Sequence, residues 1–218
     1  MKYKKIWRAV KKELSDSAHG IHHTERVYHL CKKLSSDKVD EDVLLPAAIL
    51  HDIARDQEDN DDSRKTDHAE LGAEMSEKIL MEIGFEQNKI EEIKHCIRTH
   101  RFRGNKKSET IEAKILSDAD KLDAIGAVGV ARMFMLAGQF EEHIYRFVDP
   151  ELYAEKNMTQ DGMVKKISDH SPNLEYELKL KKIPERLYTE KAKEIAKERL
   201  DHMESFFSRL EREIEGGK

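Results

Sequence analysis

Cysteine, proline and glycine are all scarce in this chain, which has 2 cysteines, 4 prolines and 10 glycines among its 218 residues. Cys31 and Cys96 fall inside helical patterns with no CxxC spacing. That excludes a disulfide framework and a thiolate metal site, and it points to a reducing compartment. So little Pro and Gly argues against a fold of many short strands joined by tight turns. No apolar run reaches membrane-spanning length, and the first residues, MKYKKIWRAVKKEL, are charged throughout with no apolar core of signal-peptide size. A soluble, unprocessed, cytoplasmic protein is expected. Basic excess is missing too: 39 Lys and Arg stand against 44 Asp and Glu, a formal net charge of -5. No global positive field recruits nucleic acid or anionic lipid, so neither nucleic acid nor a membrane is expected as a partner. There is no internal repeat and no Gly-rich phosphate loop.

What is present is charge and helical periodicity. Charged residues make up 38% and hydrophobic residues 38%, the balance of long solvated helices, so the fold class is all-α. The length suits one domain over residues 1–218, with a signature core over about 15–135 and a C-terminal helical extension over about 140–218. A first helix from about Tyr3 to Leu14 carries Ile6, Ala9, Val10 and Leu14 on one stripe and breaks near Asp16–Ser17. In the next, Val27, Leu30 and Leu34 set the apolar stripe. His23 shares that face, His22 and His29 lie on the polar one, and His19 precedes the helix. Asp40 is the expected N-cap of a third helix, which Pro46 should kink or delay.

That third helix ends in LLPAAILHDIARD, Leu44 to Asp56, where an apolar run delivers His51 and Asp52 at the edge of the core. Burying an imidazole beside a carboxylate is costly unless something binds both, and a divalent metal does so. The alternative is a helix C-terminus whose His meets the dipole while Asp caps the next turn. The acidic stretch Asp56 to Asp67 has no periodicity and is expected to be a mobile, solvated loop. His68 then phases with Leu71, Met75 and Ile79, and His100 with Ile90, Ile93 and Ile97, so both face inward while His95 turns outward. Arg101, Arg103, Lys106 and Lys107 make a local cationic loop suited to phosphate. A central helix capped by Ser108 or Thr110 runs from there towards Phe134. It is apolar on nearly every face, so periodicity cannot rank Asp118, Asp120 and Asp123 by burial. An irregular stretch near residues 147–162, a helix from about Met163 to Lys182 and a terminal helix from about Pro184 to Glu215 complete the chain.

His23, His51, Asp52, His68, His100 and an aspartate of the 118–123 group therefore come from five separate helices. His23, His51, Asp52 and Asp120 would form a site of two imidazoles and two carboxylates with positions open for water and substrate. His68 and His100 are placed to hold a second ion. With no sulfur in the set, the ion is expected among Mn, Fe, Mg, Zn, Co and Ni, and one or two are compatible with the residues.

The residues HxxRV at His23 to Val27, LHDIAR at Leu50 to Arg55 and SDADKLDAIGAVGVARMF at Ser117 to Phe134 resemble the signature blocks of the HD-domain metal-dependent phosphohydrolases. KLKKIPERL at Lys179 to Leu187 extends the resemblance to the small stand-alone bacterial and archaeal subgroup. The resemblance implies an HD-type helical bundle with added C-terminal helices, with His23, His51, Asp52 and Asp120 as metal ligands. HAELGA at His68 and THRFRG at His100 look like the extra histidines of two-metal relatives. It further implies hydrolysis of a phosphate ester or anhydride, most of all a nucleotide, as a triphosphate pyrophosphohydrolase or nucleotidase would perform it. Some relatives carry a Glu where this chain has Arg55, and an arginine cannot act as a base. Arg55 is therefore assigned to a phosphoryl oxygen, with Asp52 and Asp123 as the other catalytic carboxylates, Asp123 being the candidate base. Arg26, Lys121 and Arg101 are expected to contact substrate, joined by Lys179 and His170 from the resemblance. The competing expectation is a non-catalytic helical module that binds metal or nucleotide for regulation, and homo-oligomerisation is left open.

Overall fold

The computed structural model describes residues 2–15, 20–63, 65–101, 106–159 and 162–218. The break near Asp16–Ser17, His19 and Arg103 lie outside the described residues. The chain is all-α. In order come α1 (Lys2–Glu13), α2 (Ile21–Leu34), α3 (Glu41–Leu50), α4 (Arg55–Asp59), α5 (His68–Ile83), α6 (Gln87–Thr99), α7 (Ile111–Asp123), α8 (Gly126–Gln139), α9 (Pro150–Asn157), α10 (Pro172–Leu178) and α11 (Glu190–Ile214). Among the described residues there is no β-strand, only an isolated antiparallel bridge between Met158 and Val164. No single helix among them is long and apolar enough to cross a membrane. The chain divides into two compact units, Met1–Lys121 and Leu122–Lys218.

In the first unit α3 is the axis. Asp40 caps it by accepting from the Asp42 amide at 3.0 Å, and every residue from Val43 to Leu50 is buried. Burying Leu44, Ile49 and Leu50, each fully inaccessible, stabilises the unit by about 1.5–3 kcal/mol apiece. Pro46 lies inside the helix without delaying its start. α1, α2 and α6 pack on α3, and α5 packs on α6. Asp67 caps α5 by accepting from the Ala69 amide at 2.9 Å, and Gly84, at φ +86°, ends it in the left-handed conformation only glycine adopts freely. Those two boundaries put His68 on the first turn of α5, whose buried face is Ala69, Gly72, Ala73, Ser76 and Leu80, while Leu71, Met75 and Ile79, expected to share its stripe, are only half-buried.

The expected mobile loop after Asp56 is instead organised. Its start is α4, and Asp61 then accepts from the Ser63, Lys65 and Thr66 amides and from the Ser63 and Thr66 hydroxyls, all at 2.6–3.0 Å. A carboxylate can accept several hydrogen bonds at once, so one aspartate replaces the missing periodicity.

The helix expected to run on to Phe134 is two. Thr110 caps its start, accepting from the Ala113 amide at 3.2 Å, but α7 stops at Asp123 and α8 begins at Gly126, whose φ is +80°. In the second unit α8 packs on α11, and Phe134 lies edge-on to Phe206 at 5.8 Å. The helix expected over Met163–Lys182 is replaced by a 3-10 turn at Ile167–Asp169, α10, and a second 3-10 segment, Leu180–Arg186. Pro184 sits inside that second segment. The terminal helix starts later, at Glu190, where Thr189 accepts from the Ala192 amide. The irregular stretch likewise contains α9, capped by Asp149.

Candidate metal centre

Helix ends and first turns deliver the polar residues of the first unit to one place. His23 is buried in α2, while His22 is 73% exposed and His29 is exposed, as helical phase requires. His51 closes α3, Asp52 follows it, His68 opens α5, His100 closes α6 and Asp120 projects from α7. His23 Nε2 lies 3.2 Å from His51 Nε2, 3.5 Å from Asp52 Oδ2 and 3.3 Å from Asp120 Oδ1. His68 Nε2 lies 3.3 Å from His100 Nε2, and both face Asp52 Oδ1, at 3.2 and 3.4 Å. Asp52 thus turns one oxygen to each pair of imidazoles.

The other ring nitrogens fix the orientation. His51 Nδ1 is 2.9 Å from the Ala48 carbonyl, His100 Nδ1 is 2.6 Å from the Ile97 carbonyl and His68 Nδ1 is 2.7 Å from Glu58 Oε2. Each of these oxygens only accepts, so each Nδ1 carries the proton and, in the neutral ring, each Nε2 turns a lone pair inward. Buried lone pairs 3.2–3.7 Å from one another and from carboxylate oxygens repel unless a cation lies among them. The donor set of four imidazoles and two carboxylates, without sulfur, fits one or two divalent ions.

Charge follows the same geometry. Burial pushes the His51 pKa down to about 4, against the pull of Asp52. Burial alone would raise Asp52, yet the facing histidines hold it well below the usual carboxylate range, and those around Asp120 do the same. For His68 burial is outweighed by hydrogen bonds to Asp52 and Glu58, which bring it up to about 9. Below that pH a cation at His68 and His100 must displace a proton, whereas His51 offers a free lone pair down to about pH 4. Acidification from pH 9 should therefore weaken binding at His68 and His100 first, by up to about tenfold per pH unit. Metal titrations across pH 6–9 measure this, and an ion lost first from His23 and His51 would contradict it.

The remaining predicted residues have partners of their own. Arg55 pairs with Glu58 at 2.9 Å and Asp59 at 3.4 Å, and Arg101 with Glu58 at 3.2 Å and Asp67 at 2.8 Å. Lys106 pairs with Glu70, so Arg101 and Lys106 of the expected cationic loop both face acidic partners on or beside α4 and α5. Lys121, buried, donates to the Ser117 carbonyl at 3.1 Å and to its hydroxyl; Arg26 is half-buried in α2. In the second unit Asp123, also buried, accepts from Arg132 at 2.8 Å. There His170 joins Tyr153 at 2.9 Å and Glu175 at 3.3 Å, and Lys179 binds the same Glu175. Glu58 and Asp67 are the site-adjacent acids that sequence reading placed in a solvated loop. Asp67 had a signal, an Asp directly before a periodic segment. Glu58 had only its spacing of three residues from Arg55. Glu58, Asp67 and His68 cluster closely enough to hold an ion, but the Arg101 guanidinium already bridges the two acids.

Comparison with known proteins places this arrangement in context. A family model for the HD domain matches residues 20–125. The uncharacterized protein YpgQ of Bacillus subtilis (strain 168) is 29% identical over 205 residues, covering 92% of this chain and 86% of the relative. The crystal structure of YpgQ in complex with ADP aligns with a TM-score of 0.72 at 26% identity, covering 97% of each chain. A predicted HD superfamily hydrolase from an uncultured Thermotogales bacterium aligns with a TM-score of 0.64 at 29% identity, covering 96% of this chain and 91% of the other.

Proposed function

The chain belongs to the HD-domain family through residues 20–125, and from that premise we propose that it hydrolyses a phosphate ester or anhydride of a nucleotide at a centre of divalent ions. The family and its HD superfamily hydrolase neighbours support metal-dependent phosphohydrolase chemistry in general. The observation that carries the finer reading is Asp52, whose two oxygens face two imidazole pairs. In this reading His23, His51, Asp52 and Asp120 would hold one ion, and His68 and His100, beside Asp52, would hold a second. Mn, Fe, Mg, Zn, Co and Ni all suit these donors. A nucleotide substrate is supported by the ADP bound in the related YpgQ structure.

When bound, such an ion lowers the pKa of a water towards about 7 and polarises a phosphoryl oxygen. The chain's own residues do the rest. The Ala48 and Ile97 carbonyls and Glu58 hold three imidazoles with Nε2 inward. Arg55, whose side chain is 20% exposed, and Lys121 would supply positive charge for a phosphoryl group, with Arg26 and Arg101 as further candidate contacts. Asp123 accepts from Arg132 at 2.8 Å, so water activation is assigned to the ions and not to a carboxylate base. None of the signature blocks pairs an inward Ser or Cys with a histidine base, so no covalent enzyme intermediate is invoked. A nucleotide panel assayed with Mn, Mg, Fe and Co should give turnover that chelation abolishes. Tight metal binding without turnover on any member would favour the regulatory module.

A further inference from the structure

Glu58 lies outside every signature block, yet it touches both the second imidazole pair and the cations around it. Its Oε2 accepts from His68 Nδ1 at 2.7 Å and from Arg55 Nη1 at 2.9 Å, while Oε1 receives Arg101 at 3.2 Å and faces the His68 amide at 3.4 Å. Arg101 is fixed in turn by Asp67, the cap of α5, at 2.8 Å, and it directly follows His100. Donors of three residues, Arg55, His68 and Arg101, therefore converge on one carboxylate.

The arrangement contains a competition. Arg55 Nη1 lies 3.1 Å from His68 Nδ1. A guanidinium only donates, so both nitrogens can carry protons there only because Oε2 stands between them to accept from each. Were that oxygen removed, Arg55 would be left to donate into Nδ1. That contact requires a lone pair on Nδ1 and moves the ring proton to Nε2, the atom 3.2 Å from Asp52 Oδ1 and 3.3 Å from His100 Nε2. The ring would then present N–H where an ion needs a lone pair.

We propose that Glu58 is a positioning residue that fixes the Nδ1–H tautomer of His68 against Arg55 and thereby enables a divalent ion to bind at His68 and His100. The inference rests on the two-ion reading of the centre for its metal consequence, but not for the tautomer itself. Its mechanism is hydrogen-bond acceptance rather than charge, so an amide oxygen at the same place should serve.

The test compares wild type with Glu58→Ala and Glu58→Gln, after thermal melts establish that each variant folds. Long-range nitrogen-15 to proton spectra of metal-free protein at alkaline pH, where the ring is neutral, report the tautomer of His68. Manganese titration reports stoichiometry and affinity. In wild type we expect Nδ1–H and two equivalents. In Glu58→Ala the proton moves to Nε2 and the second equivalent weakens about 10–100-fold, the usual cost of losing a ligand's orienting partner, while the first is retained. Glu58→Gln restores both, and it carries the test if the alanine variant does not fold. Nδ1–H persisting in Glu58→Ala would overturn the proposal. So would a glutamine variant that keeps the tautomer but loses the ion as alanine does, since charge would then be the cause. A wild type that takes only one equivalent would reject the two-ion reading instead, and the tautomer of the variants would still decide the role of Glu58.

Discussion

Asp52→Ala should carry no ion at either position and should lose roughly 10³-fold or more in turnover, because one substitution removes a preorganised charge from both halves of the centre. Its Oδ2 is 3.5 Å from His23 Nε2 and its Oδ1 is 3.2 Å from His68 Nε2, so this one side chain faces both imidazole pairs. His51→Ala should strip the His23 side of the centre to a similar functional end. The controls come from the same helix as His23. His22, paired with Glu25 at the surface, and His29, also exposed, can both become alanine with metal content unchanged. Metal analysis of the four purified variants decides the matter, and equal content in all of them would refute the assignment.

Gly129→Ala should be the most damaging single-methyl change in the second unit. A Cβ there would stand 2.3 Å from the Ala124 carbonyl oxygen and 2.7 Å from its carbon. Both are backbone atoms at the sharp break between α7 and α8, so they cannot swing aside as a flexible side chain would. Overpacking of this kind costs about 1–3 kcal/mol, a fall in melting temperature of roughly 2–12 °C for a chain of this size. Gly138→Ala in the same helix is the internal control. Nothing lies within 4 Å of its added methyl, so the substitution should stabilise by about 0.4–1 kcal/mol. Parallel thermal melts measure both, and shifts of the same sign would contradict the packing argument.

Helical phase made the inward histidines legible. His23 and His100 each shared a stripe with valines, leucines or isoleucines that the fold buries, whereas His68 is buried although Leu71, Met75 and Ile79, the residues phased with it, are only half-buried. The aspartates of α7 were not separable by that route, because the helix is apolar on almost every side. Burial would not have separated them either. Asp118 and Asp123 are 0% and 1% exposed, yet it is Asp120, with a 22% exposed side chain, that faces His23. Direction decides a ligand, and direction there depends on packing between helices. The break after Asp123 was hidden for a related reason: Gly126 sits in an apolar run that continues a helical pattern, and its positive φ is a property of the backbone. Glu58 was hidden by its setting, an acidic stretch without period, which a helix of five residues and the hydrogen bonds of Asp61 organise instead.

In the proposed reaction oxygen from water attacks phosphorus directly, where His23, His51, Asp52 and Asp120 would hold an ion. Turnover of the best nucleotide from the panel in oxygen-18 water measures it, with enzyme in excess so that each molecule reacts once. From the first turnover one solvent oxygen is expected on the phosphorus that was attacked, whether in the released phosphate or pyrophosphate or in the nucleotide product, and chelated enzyme should give no labelled product. Oxygen from the protein in the first product, or undiminished turnover by metal-free Asp52→Ala, would contradict it.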